Sequence, residues 1–353
     1  MTDFKKPMSL SDAVASFLRK LQKDFAIAPS PTIQELKVRY WYESLRLTAG
    51  LERPSELQAM FEPDAIYRDD KGVILATKNK WSGYRRGKHK PRQALLDKIE
   101  LIAPGSTRAM HHPLWSALDM TDNKLLVGDS FLRTLLPEIQ SLVLKPHDQI
   151  IASADRLPLS KRRIEQMLRR TNLDTLACLI WLLRQAHATN SANKELIFNG
   201  LHKTLVLLGA ELHALNIAVP LIQRIIEEVL PLGVTDHFKK LDMTTDDYLS
   251  ASFVLDVITD QNFRRLGRTS NWKAHSNYML ESLNGDRGLD IMAAMAPRFG
   301  LIEGHNSTST EEANSLEFDL AFRAEAWEHL LHGSSRYSWG VKKVDEHYRF
   351  DDS

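Results

Sequence analysis

Only one cysteine, Cys178, occurs in the 353 residues. A single thiol cannot close an internal disulfide, so a disulfide framework is excluded and a reducing compartment fits. Structural zinc sites built on cysteine pairs are excluded for the same reason. Long apolar runs are missing too. The longest, 176–183, falls far short of the ~20 residues that span a bilayer. No apolar segment follows the polar start Met1-Thr2-Asp3-Phe4-Lys5-Lys6-Pro7, so a secretory leader is not expected. These absences predict a cytoplasmic protein with no membrane association.

Charge of one sign is also lacking. Lys and Arg number 46 against 45 Asp and Glu, a net charge of +1. A chain that coats nucleic acid along its whole length is far more basic, so any such binding must come from a local patch. Signatures of chemistry are missing as well: the sequence holds no Gly-x-x-x-x-Gly-Lys-Ser/Thr, no Gly-x-Gly-x-x-Gly and no Gly-x-Ser-x-Gly. No catalytic residue and no cofactor are expected.

What is present reads as helix. Hydrophobic residues make up 43% and charged residues 26%, which supplies a proper core and excludes wholesale disorder. Apolar side chains three or four apart recur from Val14 to Phe25, with Ser9 or Ser11 as cap, and again from Pro31-Thr32 through Leu36, Tyr40, Leu45 and Leu47. The aromatic cluster Tyr40-Trp41-Tyr42 is expected in a core. Further helices are predicted over about 91–103, 129–141, 160–170, 172–188, 193–215, 217–230, 245–258, 273–284 and 311–332, with Pro220 in a first turn or at a kink. Cys178, inside an apolar run, is expected to be a small buried hydrophobe. The one β signal is a hairpin: Ala65–Arg68 and Val73–Ala76 flank Asp69-Asp70-Lys71-Gly72. With about 150 residues per domain, the expectation is two domains: a helical one over 1–144, a linker over 145–158 containing Lys145-Pro146 and Pro158, and a helical bundle over 159–353.

One segment carries a job. From Lys78 to Arg92 the residues Lys78, Lys80, Arg85, Arg86, Lys88, Lys90 and Arg92 are cationic and none is acidic. Phosphates are neutralised by such local charge, with release of condensed counterions. Trp81 and Tyr84 lie three apart and would anchor a helix to a core, leaving Lys80, Ser82, Arg85 and Arg86 to point outward. Gly87 would end that helix and Pro91 begin the next. The bland alternative is a solvated basic loop between structural helices, and an acidic protein surface is a third possible partner.

Trp81-x-x-Tyr84-x-x-Gly87-Lys88-x-x-Pro91, followed by Leu95, Leu96 and Ile99, resembles the second half of a lambda-repressor-like helix-turn-helix domain. Arg53–Phe61, with its Glu56-Leu57-Gln58-Ala59 core, is similar to the first helix of that motif. The likeness covers about 53–103. It departs from the family where Glu62 to Thr77, with the hairpin, replaces the short turn between the motif helices. The resemblance implies that Lys80, Ser82, Arg85 and Arg86 meet the major groove or its phosphates, and that Lys88 and Lys90 meet the backbone; Lys78 and Arg92 complete the basic set.

Two further basic patches, Lys161-Arg162-Arg163 with Arg169-Arg170 and Arg264-Arg265-Leu266-Gly267-Arg268, are more simply solvated helix faces. His111-His112 points to two sides of a helix, and Glu328-His329-Leu330-Leu331-His332 lacks the order of the His-Glu-x-x-His zinc motif, so no metal is expected. A nuclease core around Pro63-Asp64 lacks its acid-x-Lys element. The sequence thus predicts a mainly α fold: an N-terminal helical domain of helix-turn-helix type with a small β-hairpin insertion, then a C-terminal helical bundle. The expected function is a DNA-binding regulator that contacts duplex DNA through 78–92 and uses the bundle for dimerisation or signal reception. The alternative is a non-enzymatic helical adaptor for a protein partner, for instance in a mobile-element or phage-defence system.

Overall fold

A computed structural model describes residues 9–25, 31–68, 74–77, 80–145, 156–269, 271–302 and 310–332. Among these the fold is mainly helical. The first third holds α1 (Leu10–Phe25), α2 (Ile33–Ala49), α3 (Pro54–Phe61), β1 (Ile66–Arg68), β2 (Ile74–Thr77), α4 (Lys80–Arg85) and α5 (Gln93–Ile102). Next come α6 (Pro113–Ala117), α7 (Pro137–Val143), α8 (Lys161–Leu168), α9 (Leu173–Ala188), α10 (Lys194–Ala214) and α11 (Ala218–Arg224). The chain closes with β3 (Lys239–Leu241), α12 (Thr245–Arg265), α13 (Trp272–Leu283), α14 (Leu289–Met295), β4 (Phe299–Leu301) and α15 (Thr310–His332).

Local chemistry sets the helix ends. Thr32 and Glu35 cap α2 reciprocally: the Glu35 amide donates to Thr32 Oγ1 at 3.2 Å, and the Thr32 amide donates to Glu35 Oε2 at 2.7 Å. Ser9 rather than Ser11 caps α1, accepting from the Asp12 amide at 3.1 Å. Asn172 caps α9 through the Thr175 amide, and Thr244 caps α12 through Asp247. Pro220 occupies the first turn of α11, where its missing N–H costs no helical bond. Pro137 has the same role in α7, so the helix expected over 129–141 starts later; a short 3-10 turn, Leu132–Thr134, precedes it. Strands β1 and β2 pair antiparallel, Ile66 opposite Thr77, with a bulge after Tyr67. The residues that connect them lie outside the described ones. A second antiparallel pair, β3 with β4, sets Lys240 opposite Gly300; its three-residue strands carry too little alternation to be read from sequence.

Buried side chains form two clusters. The larger is centred on α9 and α10. Helix α9 is buried nearly all round, from Leu173 to Ala186, as its continuous apolar run requires. Trp181 stacks on Phe131 with centroids 5.8 Å apart and donates from Nε1 to the Leu125 carbonyl at 2.9 Å. Cys178 is fully buried there, and burial pushes its thiol up to about 12. The smaller cluster comprises Val38, Trp41, Tyr42, Leu45, Leu57, Phe61, Trp81, Tyr84, Leu95, Leu96, Ile99, Ala109 and Met110.

The expected division at 145–158 is not where the core divides. Phe131, Leu135, Ile139 and Leu142 share the larger cluster with Ile164 and Leu176, so 114–144 belongs with the C-terminal half. Helix α1 belongs there too: Phe17 stacks on Phe253 at 4.5 Å. Residues 146–155 of the expected linker lie outside the described ones. Helix α2 is shared, giving Leu36 to the larger cluster and Val38, Trp41, Tyr42 and Leu45 to the smaller.

A buried charge joins the two clusters. Asp174, in the first turn of α9, accepts from the Leu136 amide at 2.9 Å, His112 Nε2 at 3.1 Å and Arg108 Nη2 at 3.2 Å. The other ring nitrogen of His112 accepts the Leu114 amide at 3.1 Å and so caps α6. Both nitrogens are thus committed to the scaffold, which leaves this Asp–His pair no free base for catalysis. No described helix is long and apolar enough to cross a membrane.

Candidate nucleic-acid interface

The basic segment folds as a short helix, a tight turn and the start of a second helix. Trp81 and Tyr84 are buried as their spacing requires, each anchoring α4. Trp81 stacks between Trp41 (6.1 Å) and Phe61 (5.9 Å), and Tyr84 meets it edge-on at 5.6 Å. These aromatic pairs fix the helix to α2 and α3.

Gly87 ends α4. Its φ is +75°, a conformation that glycine adopts without strain. Its amide donates to the Tyr84 carbonyl and that of Lys88 to the Gly83 carbonyl, both at 2.9 Å, a Schellman closure of the helix. A Cβ at Gly87 would lie 2.7 Å from the Glu35 carbonyl oxygen, so only glycine lets the turn lie against the first turn of α2. Pro91 is buried just before α5.

This geometry sorts the candidate residues. Arg85, Arg86, Lys88, Lys90 and Arg92 are exposed around the turn. Arg86 donates from Nε to the Ser82 carbonyl at 3.2 Å, a neutral acceptor that leaves its charge unpaired. Ser82 is half-buried. Lys80 does not point freely outward: its ammonium is ion-paired with Glu62, whose other oxygen accepts Trp81 Nε1 at 2.9 Å. Lys78 lies outside the described residues.

Two cations that the sequence did not flag join the set from α2. Arg39 donates from Nε to the Arg86 carbonyl at 3.2 Å. Lys37 is held below the ordinary lysine range by partial burial and then by the like charge of Lys90. Arg39 is lowered by burial, against a smaller opposing pull from Glu35. Among the described residues, none of Lys37, Arg39, Arg85, Arg86, Lys88, Lys90 and Arg92 has a carboxylate within ion-pair distance. These cations sit 47 residues apart in sequence at the Arg39–Arg86 bond, which is why local reading did not unite them.

Some of the other sequence candidates have partners within the fold. His329 bonds Asp290 at 3.0 Å and His332 lies 3.6 Å from Glu328; no group of three metal-ligating side chains converges among the described residues. Arg163 bonds the Pro158 carbonyl and Arg264 pairs with Asp260 at 3.2 Å. No protein-family model matches the chain, and no curated protein or solved structure is found to be similar to it.

Proposed function

We propose that the protein binds the phosphate backbone of duplex DNA through the turn 85–92, with Lys37 and Arg39 behind it. The observation that supports this is a set of seven cations, with Lys37 beside Lys90 and Arg39 bonded to the Arg86 carbonyl, none of which has a carboxylate within ion-pair distance among the described residues. A like-charge cluster is costly unless an anion neutralises it, and Lys37, held low first by partial burial, is lowered further by Lys90.

The same geometry favours contacts to phosphate over reading of bases. Helix α4 has six residues, and Trp81, Gly83 and Tyr84 are turned into the core. Lys80 at its start is held by Glu62. A recognition helix reads bases with its N-terminal residues; here the free cations gather at the opposite end. Residues 62–79, including β1 and β2, separate α3 from α4 where the helix-turn-helix family has a short turn. Phosphate contacts fix register but carry no sequence information, so the turn is a positioning element. The larger helical cluster is then free to dimerise or to receive a signal.

A salt titration of duplex binding tests this. If about five phosphates are neutralised, log affinity falls against log salt with a slope of about −4.5. The triple variant Arg85→Ala, Arg86→Ala, Lys88→Ala should lower that slope by about 3 and weaken binding to any sequence alike. Undetectable binding at low salt, or an unchanged slope in the variant, sinks the proposal.

A further inference from the structure

A second cationic site lies in the larger cluster, apart from the basic turn. Helix α8 packs onto α10 at Gly200, where a Cβ would lie 2.7 Å from Ile164 Cγ2. That approach brings Lys161, at the start of α8, to the same cleft as Lys203 of α10. The cleft has a volume of about 650 Å³, within the roughly 300–1,000 Å³ of small-molecule sites. Its apolar wall includes Leu196, Leu283, Met292 and Met295.

Lys203 is half-buried, and its hydrogen-bond partner is neutral: Nζ donates to Asn284 Oδ1 at 2.6 Å. Among the described residues no carboxylate lies within ion-pair distance of it. A partly desolvated ammonium is ordinarily repaid by an anion. Burial holds it below the ordinary lysine range, the like charge of Lys161 adds to that, and Glu165 and Asp286 each oppose it by less than Lys161 adds. The basic cluster at 161–163 therefore gains a second interpretation: one of its members faces a cavity rather than only solvent.

We propose that this cleft binds a small amphipathic anion, its head group on Lys203 and Lys161 and its apolar body against Leu196, Leu283, Met292 and Met295. Adaptable methionines suit an apolar body of variable shape, and the three cations that line the cleft, Lys161, Arg169 and Lys203, outnumber its two carboxylates, Glu165 and Asp286, which favours an anionic head group. The site does not depend on DNA binding and stands or falls separately.

Isothermal titration calorimetry of the full chain with octanoate, octyl phosphate, octylamine and octan-1-ol tests it. At least one of the two anions should bind, and bind at least tenfold more tightly than the amine or the alcohol. Lys203→Met keeps the apolar stem and removes the charge, and should weaken the bound anion tenfold or more; Lys203→Arg should retain it. Should Lys203→Met fail to fold, Lys161→Gln at its exposed position should still weaken that anion several-fold. Equal binding of octylamine, no heat with either anion at millimolar concentration, or anion affinity unchanged in the folded lysine variants overturns the proposal.

Discussion

Replacing Asp174 by alanine should be among the most damaging single changes outside the apolar core. The carboxylate is buried, with a side-chain exposure of 4%. It receives the Leu136 amide, His112 Nε2 and Arg108 Nη2. Removing it strands two buried donors, since His112 cannot turn its ring without losing the Leu114 amide. Breaking a buried charged partnership costs about 3–5 kcal/mol, and that range is expected from urea unfolding at pH 7. Arg108→Ala should cost about 1 kcal/mol or less, because its side chain is half exposed and the solvent screens it. The effect also has a pH signature. Burial alone would raise the Asp174 carboxyl, but the bonds from His112 and Leu136 and the charge of Arg108 together outweigh it and hold it below the ordinary aspartate range. A depressed carboxyl stabilises the fold above its unfolded value of about 3.9, and that contribution is lost as pH falls through the lower folded value. The gap between wild type and Asp174→Ala should therefore narrow below about pH 4. A penalty under about 1 kcal/mol at pH 7, or one that Arg108→Ala equals, would refute the assignment of Asp174 as the joint between the clusters.

Gly87→Ala should lower stability by about 1–2 kcal/mol, from the positive φ alone, and more because its Cβ would meet the Glu35 carbonyl; it should also weaken duplex binding although no charge changes. A melting curve and a binding isotherm measured together decide this, and unaltered binding with lowered stability would separate the turn from the interface. Cys178 should resist a thiol reagent in the native state and react fully in denaturant, since burial removes it from solvent and pushes the thiol up to about 12. Rapid native labelling would contradict that placement.

Local features were the most legible in the sequence. The helix start at Pro31-Thr32, Pro220, and the apolar spacing of α9, α10 and α13 each depend on neighbours within a few residues, and their bounds fall close to those expected. The pairing of Trp81 and Tyr84 was readable because a three-residue separation on a helix means a shared face. What was not readable depends on distant partners. Periodicity reports that Phe131 and Ile139 are buried but not against what, so their packing with Ile164 and Leu176 was not readable. The last apolar signal used for α12 was near 258, yet its charged continuation to Arg265 stays helical. Helix α14 and strands β3 and β4 are too short to show a period. At the candidate interface, the loss of Lys80 to Glu62 and the gain of Lys37 and Arg39 both arise from contacts across the fold.

Because α2 contributes to both clusters, neither can come apart without exposing a face of that helix. Leu36 on one side and Trp41 on the other are each fully buried, so releasing either cluster uncovers large apolar surface on a segment still ordered by its neighbour. The molecule should therefore unfold in a single cooperative transition, with amide protons in the middle of α2 exchanging only at the global rate. A nick placed anywhere between α2 and α6 would sever the sequence without freeing two independent bodies.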